Sequence, residues 1–243
     1  MDKVLNEVKE ILKNGRNIVF FGGAGVSTAS NIPDFRSSTG LYNKKSGTNY
    51  SPEYMLSHTF FKFHPDEFAE YYKKNLIYPD AKPNAAHIAL AKLEEEGRLN
   101  AVITQNIDGL HQMAGSKNVI EIHGNLIDYY CVDCNKTFDQ DYVLKVEGID
   151  HCDSCGGIVR PDVVLYEEPL DMDKFNRAIE AISNADIFIV GGTSLVVYPA
   201  AGLLRYYNGN KLILMNMEPT TQDGLADYVI YGDISKILGE LIS

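Results

Sequence analysis

Several things are missing from this sequence of 243 residues, and each absence closes off a class of function. No apolar run approaches the ~20 residues that a membrane-spanning helix needs, so no transmembrane segment is expected. Cations are in short supply: 22 Lys and Arg stand against 33 Asp and Glu, a formal charge of −11. There is no global basic field, and general nucleic-acid binding is not expected, although a negative surface would attract a substrate with a basic segment. No repeat or low-complexity stretch is visible. The first residues, Met1 to Glu7, are charged and helix-like, without the apolar core of a signal peptide, so the cytoplasm is the expected compartment. No cysteine lies outside the segment from Cys131 to Cys155, which leaves none for a disulfide elsewhere.

What is present is organised around one stretch, Gly22-Gly23-Ala24-Gly25-Val26-Ser27-Thr28-Ala29-Ser30-Asn31-Ile32-Pro33-Asp34-Phe35-Arg36. It follows Ile18 to Phe21, an apolar run that reads as a buried parallel strand. The glycines let the backbone turn sharply and approach a ligand. Val26 to Ser30 can open a helix whose free N–H groups would face an anion. Around this stretch strands and helices alternate. Val4, Leu5, Val8, Ile11 and Leu12 predict an opening helix that ends near Asn14. Further helices are predicted over 52–56, 65–76, 85–96, 171–183, 199–207 and 234–241. Apolar strands are predicted over 101–104, 119–122, 163–165, 186–190, 211–215 and 227–231, while 37–50 reads as a flexible connection. Apolar strands alternating with helices predict an α/β fold with a doubly wound, Rossmann-like parallel sheet. Gly22, Thr104, His123, Thr193 and Asn216 then lie at strand ends, where such sheets bind ligands. The cysteine segment interrupts the alternation and should form a small separate lobe.

The cysteines form two C-x-x-C pairs, Cys131 with Cys134 and Cys152 with Cys155, the spacing of two knuckles that close a tetrahedral zinc site. Four thiolates leave no open position, so this zinc would be structural. A redox dithiol matches the spacing less well, and four unliganded cysteines in a loop are the bland alternative. The loop Gly23-x-Gly25-x-x-Thr28 lacks the third glycine of the dinucleotide fingerprint, and no acid follows about 20 residues on to hold a ribose. Hydride transfer is therefore disfavoured, and a tight turn without a ligand stays open. Gln105-Asn106-Ile107-Asp108 could hydrogen-bond an amide or sugar hydroxyls, or could be a capped turn. His123 is either a structural histidine or a near-neutral general base at the crevice. His111 sits in a predicted helix and reads as mainly structural. Asp34 and Arg36 could simply be a solvated loop ion pair.

Taken together these residues resemble the sirtuin family, the NAD-dependent protein deacylases. The likeness runs from about Ile18 to Ile234. It rests on Gly23-Ala24-Gly25-Val26-Ser27, Ile32-Pro33-Asp34-Phe35-Arg36, Thr104 to His111, His123-Gly124-Asn125, the four cysteines, Gly192-Thr193-Ser194-Leu195, and Asn216 with Glu218. The resemblance implies a Rossmann-like large lobe (about 1–35, 83–128 and 160–243) and a small lobe with a helical part (about 36–82) and a zinc ribbon (about 129–159). NAD, as co-substrate, would lie between them. Ala24, Thr28 and Arg36 would face its phosphates and ribose, and Phe35 would cover the nicotinamide pocket. Ile107 and Asp108 would hold the carboxamide, and Gln105, with Asn106 as the other candidate, the nicotinamide ribose. Thr193 and Ser194 would contact phosphate and ribose, Asn216 the adenosine ribose, and Asp233 and Ile234 would border the adenine. His123, Asn106 and Asp108 are the implied catalytic residues.

The implied reaction starts with attack of the acyl-lysine oxygen on the ribose carbon, loss of nicotinamide and formation of an alkylimidate. His123 then acts as base on a ribose hydroxyl, and water completes transfer to give free lysine and O-acyl-ADP-ribose. The partner is an acyl-lysine protein or peptide, sandwiched as an added strand between 163–166 and 195–197; no direct nucleic-acid partner and no membrane is implied. An ADP-ribosyltransferase on the same scaffold is the alternative activity, and an NAD-sensing binding module the non-enzymatic one. Three departures stand out. Asn31 replaces a common glycine, a change suited to positive φ. Glu167 takes the glycine place of an aromatic-Gly-Glu loop, which puts that loop's backbone in question. Tyr71-Tyr72-Lys73-Lys74 lacks the arginine of desuccinylating members, which favours an uncharged acyl group unless Lys73 or Lys74 substitutes as the cation.

Overall fold

The computed structural model describes residues 2–35, 37, 40–43 and 50–242. Helix α1 (Asp2–Asn14) opens the chain, and its spaced apolar residues place Val8 and Leu12 in the core. Strand β1 (Ile18–Gly22) leads into the glycine loop. Three short helices follow: α2 (Pro52–Met55), α3 (His58–Phe63) and α4 (Pro65–Asn75). Ser51 and Ser57 cap the first two by accepting backbone N–H bonds from Tyr54 and Phe60, which satisfies donors that a helix start leaves open. Helix α3 goes beyond the sequence prediction. Its aromatic, β-branched run is a poor intrinsic helix former, and what holds it is the Ser57 cap and the burial of Phe60 and Phe61.

Helix α5 (Ala85–Glu95) starts at an Asn84 capping box and stops before Gly97, at φ +66. Then come β2 (Leu99–Thr104), α6 (Leu110–Met113) and β3 (Val119–Glu121). The cysteine segment contributes β4 (Gly124–Cys131), β5 (Thr137–Asp139), α7 (Gln140–Val143), β6 (Asp150–His151) and β7 (Ile158–Val163). Helix α8 (Met172–Ser183), β8 (Ile187–Gly191), β9 (Leu212–Asn216), β10 (Tyr228–Tyr231) and α9 (Ile234–Leu241) complete the chain. Among the described residues no helix is long and apolar enough to cross a membrane.

The central sheet is parallel throughout, in the order β10-β9-β8-β1-β2-β3. Alternate side chains serve opposite faces: Ile18, Phe20, Ile187, Ile189 and Ile213 enter one core, and Val19, Phe21, Phe188, Val190 and Leu214 the other. Both faces are covered, as an all-parallel sheet requires. The order reverses between β1 and β8, and a doubly wound sheet opens its ligand crevice at such a point.

A second, antiparallel sheet, β5-β4-β7-β6, packs with α2, α3 and α4 around a third core. The expected lobe boundaries near 128 and 160 fall inside β4 and β7. Lys73 of α4 is almost buried, and its Nζ donates to Val146 O, Gly148 O and Asp150 Oδ2 at 3.1, 2.8 and 2.8 Å. Its charge is spent inside this core, which removes Lys73 as a cation for the acyl group.

Three predicted elements differ in kind. Residues 24–30 form two 3₁₀ turns, Ala24–Val26 and Thr28–Ser30, instead of opening an α-helix. The Thr28 hydroxyl donates to Gly25 O at 3.0 Å, and such local bonds compete with helix; Asn31, at φ +64, ends the segment. Residues Ala200–Tyr206 are also 3₁₀, with helix-weakening Gly202 near the middle. The predicted strand at 163–165 gives way to β7, which ends at Val163.

Candidate active site

The crevice at the switch point is built by two interlocked loops. Gly25 N–H donates to Gly192 O at 2.7 Å. A Cβ on Gly25 would meet the Gly192 main chain at 2.8 Å, and one on Gly192, itself at φ +61, would meet Val26 N at 2.5 Å. These glycines are required first for loop-on-loop packing, and the open space lies beside them. That space is a cleft of about 1350 Å³.

Of the residues singled out from sequence, Ala24, Thr28, Phe35, Gln105, Asn106, Ile107, His123, Thr193, Ser194, Asn216, Asp233 and Ile234 line this cleft. Arg36 lies outside the described residues. Asp108 is not part of the lining. Its Oδ2 accepts from Ser27 Oγ at 2.6 Å and its Oδ1 from Leu110 N at 2.9 Å, while Ser27 Oγ accepts from Asn106 Nδ2 at 3.0 Å. Asp108 thus combines the capping reading with a hold on Asn106 through Ser27. Asp233 caps α9 through Ser235 N. The strand-end amides form a second chain: Thr193 N donates to Asn216 Oδ1 at 3.0 Å, and Thr193 Oγ1 to Gln105 Oε1 at 3.1 Å. This leaves Gln105 Nε2 and Asn216 Nδ2 buried with no partner among the described residues. Two unpaired amide donors on cleft-lining residues are chemically matched to sugar hydroxyls or an amide carbonyl, as a dinucleotide would offer.

His123 is fixed from both sides. Its O accepts from Val164 N at 3.0 Å. Gly124, at φ +74, approaches so closely that a Cβ there would lie 1.8 Å from Asp162 O. His123 Nδ1 is 3.1 Å from Gln105 O. A carbonyl can only accept, so Nδ1 carries the hydrogen and Nε2 keeps its lone pair. Burial lowers the pKa of His123, against the opposing pull of the Gln105 carbonyl. The neutral base form is therefore the one at neutral pH. His111 is 1% exposed, with neither ring nitrogen partnered among the described residues, and packs on His87 with ring centroids 4.7 Å apart. Burial lowers the pKa of His87 to about 4 and that of His111 to about 3.

Val163 to Glu168 also line the cleft, as do Val196 and Val197. Each segment holds or adjoins a bulky residue in the left-handed region: Glu167 at φ +75 and Leu195 at φ +55. The Glu167 carboxylate accepts from Thr59 N and Thr59 Oγ1 at 2.9 and 2.6 Å, bonds that lower its pKa. Glu168 takes both Arg160 guanidinium nitrogens at 2.6 and 3.0 Å and His58 Nδ1 at 2.9 Å. Burial alone would raise the Glu168 carboxyl, but these bonds and the Leu165 N–H hold it below its usual value.

Ser27 and Tyr42 are residues whose part the sequence reading missed. Ser27 reaches Asp108 across 81 positions, a contact with no local signature. Tyr42 stood in a stretch read as a flexible connection; its only signal was an apolar pair, Leu41-Tyr42, in a polar run.

The four Sγ atoms lie within 4.8 Å of one another, with Cys131–Cys155 at 3.4 Å and Cys134–Cys152 at 3.7 Å. A tetrahedral ZnS₄ unit with ~2.3 Å bonds has S–S edges of about 3.8 Å, so the set fits zinc. The two knuckles fold alike: Asn135 N bonds Cys131 O and Gly156 N bonds Cys152 O, each at 2.9 Å.

The family model described as the Sir2 family matches residues 23–199. An NAD-dependent protein deacetylase of Clostridium perfringens is 59% identical over 243 residues, covering 100% of each chain. A solved Sir2 structure with a p53 peptide and NAD+ aligns at a TM-score of 0.84 with 40% identity, covering 98% of this chain and 96% of that one. A Sir2 variant with a deacetylated p53 peptide and 3′-O-acetyl ADP ribose aligns at 0.87 with 42% identity, covering 98% and 99%.

Proposed function

The chain belongs to the Sir2 family, and on that premise we propose that it is an NAD-dependent protein-lysine deacetylase that moves the acyl group to ADP-ribose. NAD, when bound, supplies a ribose carbon from which nicotinamide can leave and the hydroxyl that accepts the acyl group. The observation that carries the reading is one cleft shared by a neutral histidine, whose Nε2 keeps its lone pair, and two amide donors with no partner among the described residues.

We assign the roles as follows. Gln105 and Asn216 bind ribose hydroxyls with their unpaired amide nitrogens, relieving a burial cost of order 1–3 kcal/mol each. Ala24 and Thr28 form the phosphate side with Thr193 and Ser194, and Asp233 and Ile234 border the base. Phe35 and Ile107 exclude water at the nicotinamide end. Asp108 orients Asn106 through Ser27. His123 gives its Nδ1–H to Gln105 and takes the ribose hydroxyl proton at Nε2. The acyl-lysine peptide adds as a strand between 163–166 and 195–197. With Lys73 paired to Asp150, an uncharged acyl group is the preferred substrate. The cysteines hold a structural zinc, and their need for reduced thiolates suits the cytoplasm. The lobe division is proposed to follow the two sheets, with β4 and β7 crossing between them.

Incubation with NAD and an acetyl-lysine peptide should release equal amounts of nicotinamide and deacetylated peptide. A stably ADP-ribosylated protein without free lysine would overturn the deacetylase reading. His123→Ala should lower kcat by roughly 10²–10⁴-fold while NAD still binds by calorimetry; an undiminished rate would sink the general-base role.

A further inference from the structure

Between the peptide wall and the cofactor loop runs a contact that the proposed mechanism leaves unused. The Tyr42 and Tyr166 hydroxyls lie 2.6 Å apart.

Tyr166 is bolted down. Its N–H donates to Leu56 O at 3.0 Å and its O accepts from His58 N at 2.9 Å, a parallel bridge to the junction of α2 and α3. The next residue, Glu167, holds φ +75, a left-handed conformation that strains an L-residue, and its carboxylate accepts from Thr59 N and Thr59 Oγ1 on α3. Glu168 is clamped by Arg160, whose side chain is 5% exposed. The main chain over 165–168 is therefore tied to α3 and β7 by these bonds, and the Tyr166 ring projects from that anchored base.

Tyr42 belongs to a short turn, Leu41–Asn43, whose bonds run to the cofactor loop. Leu41 N donates to Asp34 O at 2.7 Å and Tyr42 N to Phe35 O at 2.9 Å. Its ring meets Phe35 edge-on, with centroids 5.4 Å apart. Whatever holds Tyr42 therefore also sets Phe35, which lines the cleft.

We propose that Tyr166 is a positioning residue for NAD: its hydroxyl, standing on the Glu167–Thr59 anchor, holds Tyr42 and through it sets Phe35 against the cleft. This rests on the deacetylase reading for the identity of the ligand.

Four proteins test it: wild type, Tyr42→Phe, Tyr166→Phe and the double variant. Each Phe keeps its ring, so the fold is retained. Loss of one neutral hydrogen bond should raise KM for NAD roughly 2- to 10-fold in either single variant. The double variant should be no worse than the worse single, because both remove the same bond. The Kd for NAD, measured by calorimetry without turnover, should rise by the same factor in all three variants. An unchanged KM and Kd in Tyr166→Phe, or additive effects in the double variant, would overturn the proposal. Its failure is distinguishable from failure of the deacetylase reading, which would show as a wild-type protein that yields no deacetylated peptide.

Discussion

The two sheets reach stability by different means. The parallel sheet is apolar on both faces and buries its strands between two large cores. The antiparallel sheet encloses a core that includes two cysteines and the Tyr72 hydroxyl, buried with no partner among the described residues, beside an almost buried Lys–Asp pair. Burial raises the pKa of Tyr72 and of Tyr129, so both stay neutral. Apolar burial dominates the first region, whereas the second adds a cysteine cluster that fits zinc and the largely buried Lys73–Asp150 and Arg160–Glu168 pairs. The contrast suits a cleft whose chemistry sits on the rigid sheet and whose substrate wall rests on the helices of the other region.

Removing zinc should separate the two regions most sharply. Chelation, or Cys155→Ser, should erase hydrogen-exchange protection over 124–163 and abolish activity indirectly, while amides of β1, β2, β8 and β9 stay protected. Uniform loss of protection would mean that the regions fold as one unit; full retention of fold and rate would remove the structural metal. Next in size, Lys73→Met strands the 3%-exposed Asp150 carboxylate and should cost about 3 kcal/mol by urea unfolding, again concentrated around α4, β6 and β7. A loss under about 0.5 kcal/mol would show that the ion pair contributes little.

Acid should instead strike the parallel region. His87 and His111, on α5 and α6, have pKa values lowered by burial to about 4 and about 3, below the unfolded value of about 6.5. Between those limits the unfolded chain binds more protons, so stability is fully present above about 6.5 and declines as pH falls towards 4, by on the order of 1 kcal/mol per pH unit for each histidine. His111→Leu should flatten that slope at little cost near neutrality, since neither ring nitrogen has a partner among the described residues. An unchanged slope would mean that His111 is not the group responsible. His123, also lowered by burial, predicts an acid limb of kcat below the ordinary histidine range, and a limb above it would contradict the neutral-base assignment.

The elements legible in sequence were those whose pattern is local. The buried strands around Phe20, Ile103, Ile189 and Leu214 and the helix carrying Val8 and Leu12 all follow from their hydrophobic period. Where context decided, the reading went astray. The hydroxyl-rich 24–30 segment became 3₁₀ turns, the aromatic 58–63 segment became a helix, and Lys73 turned inward.

The sequence by itself determined the alternation of strands and helices, the cysteine spacing and which polar residues stand at strand ends, because each depends on residues a few positions apart. Only the tertiary structure decided that Gly25 packs on Gly192, that Ser27 holds Asp108, that Lys73 pairs with Asp150 and that Tyr166 meets Tyr42. These partners lie far apart in the chain, 124 positions for the two tyrosines. Their meeting depends on how sheets and helices stack, which local pattern does not encode.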